Sequence, residues 1–445
     1  MDAEPSAELL DELLDWLRIP SISTGEADPA AMLRAAEWVC ERVEAAGGSA
    51  APDFTYGGNP LAVGEIPASR EDAPTVLIYG HYDVQSPGDR DDWRSDPFEP
   101  DIRDGRIYAR GAADDKGNFL PLLHVGCELA RSGELPVNLR VLVEGEEEVG
   151  GEAVAAWMRA AGRAADCAIV FDSGPADATT PAITVGLRGI VMASVKVRTS
   201  DRHLHSGSYG GTVLNAVHVL HSMLSEVVPG PDGHVSEELR AGVSPPSADE
   251  LASWEELRPG EEVIAEAGGV PVSADAGARF YERTGADASL DVNEISGGEP
   301  RTVIPGSARA TLSMRLAPGQ SASEMAAVLE RLLSDAVPEG AEATIELEPH
   351  EPALCDPDSD AVRLAAEALT RAAGGMRCAL IREGGSIPIV AGMLATGMPT
   401  IVSGFSLPDD AIHAPNESFA LSSLAWGERS ARELYAALAA LEPSG

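Results

Sequence analysis

Residues 75–85 read TVLIYGHYDVQ. An apolar, β-branched run ends at Gly80 and delivers His81 and Asp83 into a loop. Such a run reads as a buried strand. Two more of its kind follow, LRVLVEG at 139–145 and CAIVF at 167–171. A helical pattern, NFLPLLHVGCELARS at 118–132, lies between the first two. Alternation at this spacing predicts an α/β sheet covered on both faces. In open sheets of this class, sites form beyond the carboxyl ends of the strands. Upstream, Leu9, Leu10, Leu13, Leu14 and Leu17 recur at helical spacing behind Ser6, a plausible N-cap. A second helix pattern, AAMLRAAEWVCERVEAAGG, stops at Gly47-Gly48.

The character changes after about Gly186. GIVMASVKVRT (189–199) alternates like a half-exposed antiparallel strand, and residues 211–227 read as a long helix. Residues 229–275 are rich in Pro, Gly and acids and have little periodicity. ARATLSMRL (308–316) predicts a strand, SEMAAVLERLL (323–333) a helix and ATIELEP (343–349) a strand. The α/β pattern then returns. The expected architecture is a catalytic α/β domain with a mixed, largely parallel sheet, residues 1–187 and 351–445, interrupted by an inserted α+β domain, 188–350.

The chain has 445 residues, 72 acidic against 32 basic, and a formal net charge of -40. It is long enough to bury a large core without a disulfide or metal. Its acidity argues against nucleic acid and anionic membrane surfaces as partners. Only Lys116 and Lys196 are lysines. Five widely spaced cysteines, with no CxxC, form neither a disulfide framework nor a cysteine zinc site. The acidic, amphipathic N-terminus lacks the features of a signal peptide, and no apolar run is long enough to span a membrane. These features predict a cytoplasmic protein with buried, reduced thiols.

Five segments concentrate His, Asp and Glu beside strand ends. They are GHYDVQ, RIYARGAADDKGN with Asp114 and Asp115, VLVEGEEEVGGE with Glu144 and Glu146 to Glu148, AIVFDSG with Asp172, and SLPDDAIHAPNE with His413. Each alone is weak: a loop histidine, an N-cap or a solvated acidic loop explains it as well. Together they place two imidazoles and several carboxylates at the ends of successive elements. Like charges this close are unfavourable unless a cation neutralises them. Mixed His and carboxylate sets suit Zn²⁺ and its neighbours, and one shared carboxylate suits a pair of ions.

These stretches, with WRSDPFEP, GLRG, LHSGSYGG, TVIP, MRL and REGGSIP, occur in one order from about residue 9 to the end. The ordered set resembles the M20 family of metallopeptidases, and within it the dipeptidase branch of carnosinase and cytosolic non-specific dipeptidase. One departure is Ser86, where that branch usually has proline. The resemblance implies a zinc-exopeptidase-like catalytic domain and an inserted lid and dimerisation domain. It implies two divalent ions, zinc first, with manganese or cobalt as alternatives. His81, Asp114 and Asp172 would hold one, and Asp114, Glu148 and His413 the other. Asp83 would orient His81, and Glu147 would be the general base. His205, contributed across a homodimer, would stabilise the oxyanion. Arg315 would bind the carboxylate of a small peptide substrate, with Thr302 and Ser386 adding hydrogen bonds. Two rival readings remain open: an amidohydrolase acting on N-acyl amino acids, such as a deacylase or desuccinylase, and a non-catalytic metal- or amino-acid-binding homologue.

Overall fold

The apolar run at 75 forms the strand Thr75–His81, and its last six residues are all buried. In the computed structural model, which describes residues 4–25, 27–385 and 387–443, this strand lies inside a six-stranded sheet. The order is Ser49–Asp53, Leu61–Ile66, Asn138–Glu144, Thr75–His81, Cys167–Phe171 and Thr400–Ser403. The last four strands of that order run parallel, and the first two are antiparallel additions at one edge. A continuous apolar sequence is what a strand covered on both faces requires. The register pairs His81 with Glu144, so both strands deliver their acids or imidazole at the same end.

Helices clothe the sheet. Ala7–Leu17 buries Leu9, Leu13, Trp16 and Leu17 and is capped by Ser6, whose side chain accepts from the Leu9 amide at 3.3 Å. Pro29–Ala45 ends where Gly47 takes φ +87°, a conformation costly for any residue with a Cβ. Lys116–Ser132 begins against the end of the central strand. A Cβ at Gly80 would lie 2.7 Å from the Asp115 carboxylate and collide with the Phe119 ring. That close approach brings the helix start, with Asp114 and Asp115, beside His81.

The chain divides into two compact units. One runs from the N-terminus to Val185 and adds Cys355–Ile381 and the chain from Gly392 onward; the other is Gly186–Leu354 with Arg382–Ala391. The second unit contains a four-stranded antiparallel sheet, order Ser289–Gly297, Ser307–Leu316, Gly189–Arg198, Glu342–His350. Gly189–Arg198 alternates buried and exposed along its length, as its sequence predicts. Ala216–Ser225 and Ala322–Asp335 lay their apolar stripes on that core. Two sequence expectations need correction here. The helix expected over 211–227 is shorter, because Asn215 caps it and its side chain accepts from the Val217 amide. The stretch 229–275 contains helices Ala248–Glu255 and Gly260–Glu266.

That aperiodic stretch is anchored by one buried ion pair. Arg382 donates to Glu250 through Nε at 2.6 Å and Nη2 at 3.3 Å, and also to the carbonyls of Ser244 and Pro245. Both side chains are almost fully buried. Glu250 closes a capping box with Ser247 as well. Removing one member of such a pair leaves an uncompensated charge and costs about 3–5 kcal/mol. Arg382→Met is therefore expected to lower the unfolding free energy of this unit by about that amount in urea titrations. A change below about 1 kcal/mol, the scale of an exposed pair, would contradict this role.

Candidate metal centre

The carboxyl ends of the parallel strands gather the titratable residues. His81 ends its strand and is fully buried. Its Nε2 lies 3.0 Å from Asp114 Oδ1. Its Nδ1 faces Asp83, 3.0 Å from the carbonyl oxygen and 3.4 Å from Oδ1. A carboxylate behind the inner ring nitrogen fixes the tautomer and aims the other nitrogen outward. Asp114 Oδ2 meets His413 Nε2 at 2.9 Å, and the same Nε2 lies 3.1 Å from Glu148 Oε2. Asp114 thus spans two histidines, one through each oxygen. Ligand atoms of His81, Asp114 and Asp172 all fall within 4.8 Å of one another, and so do those of Asp114, Glu148 and His413.

Two buried acids hold this arrangement from behind. Asp83 accepts from Ser23 Oγ at 2.6 Å and from the amides of Glu147 and Glu148 at 3.3 and 3.2 Å. It therefore sets both His81 and the turn that carries two acids. The second is Glu417, which sequence reasoning missed. It is fully buried, pairs with Arg110 at 2.7 Å, and accepts from the amides of Gly111, Ala113 and Asp114 at 3.0, 2.9 and 3.2 Å. Its sequence signal was thin: one more acid in HAPNE, four residues after His413. The peptide between Asp114 and Asp115 is cis. Asp115 turns inward and accepts from the His81 amide at 3.2 Å.

Not every acid of the EGEEEVGG run joins the centre. Glu144 turns into the sheet and accepts from Tyr79 Oη at 2.5 Å, and burial pushes it up to about 8. Glu146 accepts from the Asn59 amide at 3.0 Å and fastens a neighbouring loop. Glu147 and Glu148 remain. His205 and Thr302 meet within the second unit. A two-stranded ladder pairs His205 with Val303, and Ser206 donates to the Thr302 carbonyl. Both are exposed. Arg315 sits partly buried on Ser307–Leu316. Ser386 lies outside the described residues.

Electrostatics says what the cluster lacks. Burial drives the Asp172 carboxyl well above its ordinary value, with Asp114, Glu147 and Glu148 adding repulsion against the pull of His81. Burial also raises Glu147. Asp114 goes the other way: burial opposes its charge, but hydrogen bonds from His413 and His81 hold it well below the carboxylate range. Burial pulls His81 down, yet Asp114 and Asp83 outweigh it and keep the ring well above its usual value. His413 is pushed up to about 10 by Asp114 and Glu148. One oxygen of Glu148, Oε1, is buried without a hydrogen-bond partner. Protons on the imidazoles thus occupy places that cations would fill. Two nitrogen and three carboxylate donors, with one carboxylate common to both groups, fit a pair of borderline divalent ions.

In a third group, His124, Glu128 and Glu428, each member has a partner outside the group. His124 meets Glu12 at 2.7 Å, Arg432 donates to Glu128 at 2.6 Å, and the Ser6 amide donates to Glu428 at 2.9 Å. It straps the first helix to Lys116–Ser132 and Leu421–Leu438. The five cysteines are free and buried, and burial lifts each thiol to about 12.

The model of peptidase family M20/M25/M40 matches residues 77–437. A cysteinylglycine-S-conjugate dipeptidase of Corynebacterium striatum is 29% identical over 80% of this chain and 78% of its own. The Beta-Ala-His dipeptidase of Homo sapiens is 30% identical over 71% of this chain and 65% of its own. Among solved structures, an M20 family metallo-carboxypeptidase, Sso-CP2 from Sulfolobus solfataricus, superposes with a TM-score of 0.84 at 25% identity, covering 98% of this chain and 100% of that one. Among the described residues no helix is long and apolar enough to cross a membrane.

Neighbouring carboxylates favour the charged form of both imidazoles and burial favours the neutral form of Asp172, so cation binding must expel protons. Affinity should rise with pH. Calorimetric titration of metal-stripped protein with Zn²⁺ at pH 7, repeated in buffers of different ionisation enthalpy, should report a net release of protons at saturation. Heats that do not depend on the buffer would contradict this.

Proposed function

This chain belongs to peptidase family M20/M25/M40, and on that premise we propose that it hydrolyses dipeptides and similar small peptides with a free C-terminal carboxylate. It is a metallopeptidase whose relatives are dipeptidases. The observation that carries the site assignment is Asp114, whose two oxygens face two histidines: His81, backed by Asp83 on its other nitrogen, and His413, whose facing nitrogen also meets Glu148. His81, Asp114 and Asp172 would hold one divalent ion, and Asp114, Glu148 and His413 the other, zinc being best matched to the donor set. Such ions polarise a carbonyl and acidify water.

The chain's own residues do the rest. Glu147 would take the proton of the attacking water and pass it to the leaving amine. Its raised pKa favours that exchange near neutral pH, because a base is most effective when poised near the operating pH. Its backbone amide donates to Asp83 at 3.3 Å, which anchors the turn that carries it. Asp83 would keep His81 oriented, and Glu417 would keep the Asp114 backbone in place. In the inserted unit, Arg315 would receive the substrate carboxylate, and His205 with Thr302 and Ser386 would supply further hydrogen bonds. A homodimer through this unit, lending His205 to the partner's site, is part of the proposal, as is a cytoplasmic setting. The setting is supported by five buried, unpaired thiols.

Glu147→Gln keeps the shape but cannot take a proton. It should lower kcat roughly 10²–10⁴-fold on dipeptides while bound metal stays at the wild-type level. Near-normal turnover would place the base elsewhere. In a substrate panel, preference for N-acetyl or N-succinyl amino acids over dipeptides would overturn the dipeptidase reading, and no hydrolysis after metal reconstitution would overturn the enzyme reading.

The dimer is tested by complementation. Chains carrying Glu147→Ala and His205→Ala are mixed by co-refolding. If His205 acts across a two-fold dimer, about half the dimers are mixed and each has one intact site, so about a quarter of wild-type activity returns. No recovery, or a monomer by sedimentation, would contradict the arrangement.

A further inference from the structure

Three residues other than glycine hold a left-handed backbone within one loop. Ala411, His413 and Asn416 have φ of +57°, +61° and +64°. Such a conformation is costly for a residue with a Cβ and persists only where the surroundings enforce it. The loop carries a candidate cation ligand that is placed unlike its counterpart. His81 ends a strand, is fully buried and has Asp83 behind its inner nitrogen. The His413 side chain is 52% exposed. Asp114 and Glu148 both face its Nε2, and among the described residues no carboxylate stands behind its Nδ1. Neither deep burial nor a carboxylate partner therefore aims this ring. Its position is left to the loop.

Ties at both flanks enforce the loop. Arg106 lies on the strand Arg106–Tyr108, which pairs with Ser418–Ala420. Its Nη2 donates to Asp410 and its Nη1 lies 3.4 Å from Asp409, both ahead of His413. Its Nε donates to Ser418 Oγ at 2.9 Å, beyond His413. One guanidinium thus joins the chain entering the loop to the chain leaving it. Asp410 is fully buried and also accepts from the Leu407 amide at 2.6 Å, so Arg106 grips a fixed carboxylate. The other tie is Asn416. Its Oδ1 accepts from the Arg94 amide and its Nδ2 donates to the Asp92 carbonyl, each at 2.9 Å. All of these groups lie in the first of the two compact units, outside the six-stranded sheet whose strands end at His81 and Phe171.

We propose that Arg106 and Asn416 are positioning residues for His413. By closing the two flanks of its loop they set the cation position that His413 shares with Glu148, and they leave the position of His81 and Asp172 alone. The cations rest on the metal reading above. The closed loop does not. Partners that orient a ligand from behind change metal affinity when they are lost. At His81 that work is done by one carboxylate, and at His413 by a loop held at its base.

The test titrates metal-stripped wild type, Arg106→Gln and Asn416→Gly with Co²⁺, followed by calorimetry and by the visible absorption of the bound ion. Arg106→Gln removes the charge and the fork. Asn416→Gly accepts the left-handed backbone and removes only the side-chain ties. Wild type should take up two ions per chain. In each variant one of the two should bind roughly 10–100-fold more weakly, with the other at its wild-type affinity. Wild-type affinity for both ions in either variant, or equal weakening of both ions, would overturn the proposal and leave Arg106 and Asn416 structural residues. If Arg106→Gln does not fold, Asn416→Gly, which keeps the pair of Arg106 with Asp410, decides alone. If wild type takes up fewer than two ions, the two-cation reading fails, and amide hydrogen exchange of the metal-stripped proteins decides the loop. Faster exchange across residues 409–417 in the variants supports the clamp, and wild-type exchange there overturns it.

Discussion

Asp114 is asked to do something a buried carboxylate rarely does: face two imidazoles at once, at 3.0 and 2.9 Å, inside a cluster of other acids. Two like charges about 4 Å apart repel by about 4 kcal/mol at an effective dielectric of about 20. Asp114, Asp172, Glu147 and Glu148 cannot all ionise at such range unless positive charge enters with them. Burial and this repulsion together set the directions of the shifts in the centre. Asp172 and Glu147 are pushed toward the neutral form, and His81 and His413 toward the charged form. Divalent ions would satisfy the same constraint with the imidazoles neutral and the carboxylates ionised.

The surrounding fold is arranged to keep these groups from escaping one another. Parallel strands end together, so His81 and Asp172 stand at one end of the sheet. Asp83 then ties the imidazole to the turn that bears Glu147 and Glu148. Glu417 gathers the amides of Gly111, Ala113 and Asp114. Lys116, buried and pulled down to about 7 by that burial, donates to the carbonyls of Trp16 and Ile19 and fastens the first helix to the same region. The acids of the candidate centre are thus positioned by acids beside it.

Much of this was legible in the sequence because the catalytic unit is built from strongly periodic pieces. The strand at 75–81, the first helices and the alternating strand at 189–198 follow from apolar spacing alone. The residues brought together at the centre were those standing just beyond strand ends. What escaped was non-local. Glu417 looks like any exposed acid until Arg110, 307 positions away, is seen against it. The short helices of 229–275 carry little apolar period because their anchor is polar, the pair of Glu250 with Arg382, 132 residues apart. The helix read at 211–227 was drawn too long because apolar Val213 and Leu214 continue its pattern, although both are exposed and precede the Asn215 cap. The edge strand Ser289–Gly297 went unread, with mostly exposed side chains that give no core signal.

The account turns on one carboxylate shared between two cation positions. Elemental analysis of protein prepared without chelator, for wild type and for Asp114→Asn, tests that most directly. Two divalent ions per chain in the wild type, with both positions weakened together in the variant, is the predicted result. A single ion per chain in fully active wild-type enzyme, or loss of only one of two ions in Asp114→Asn, would contradict it.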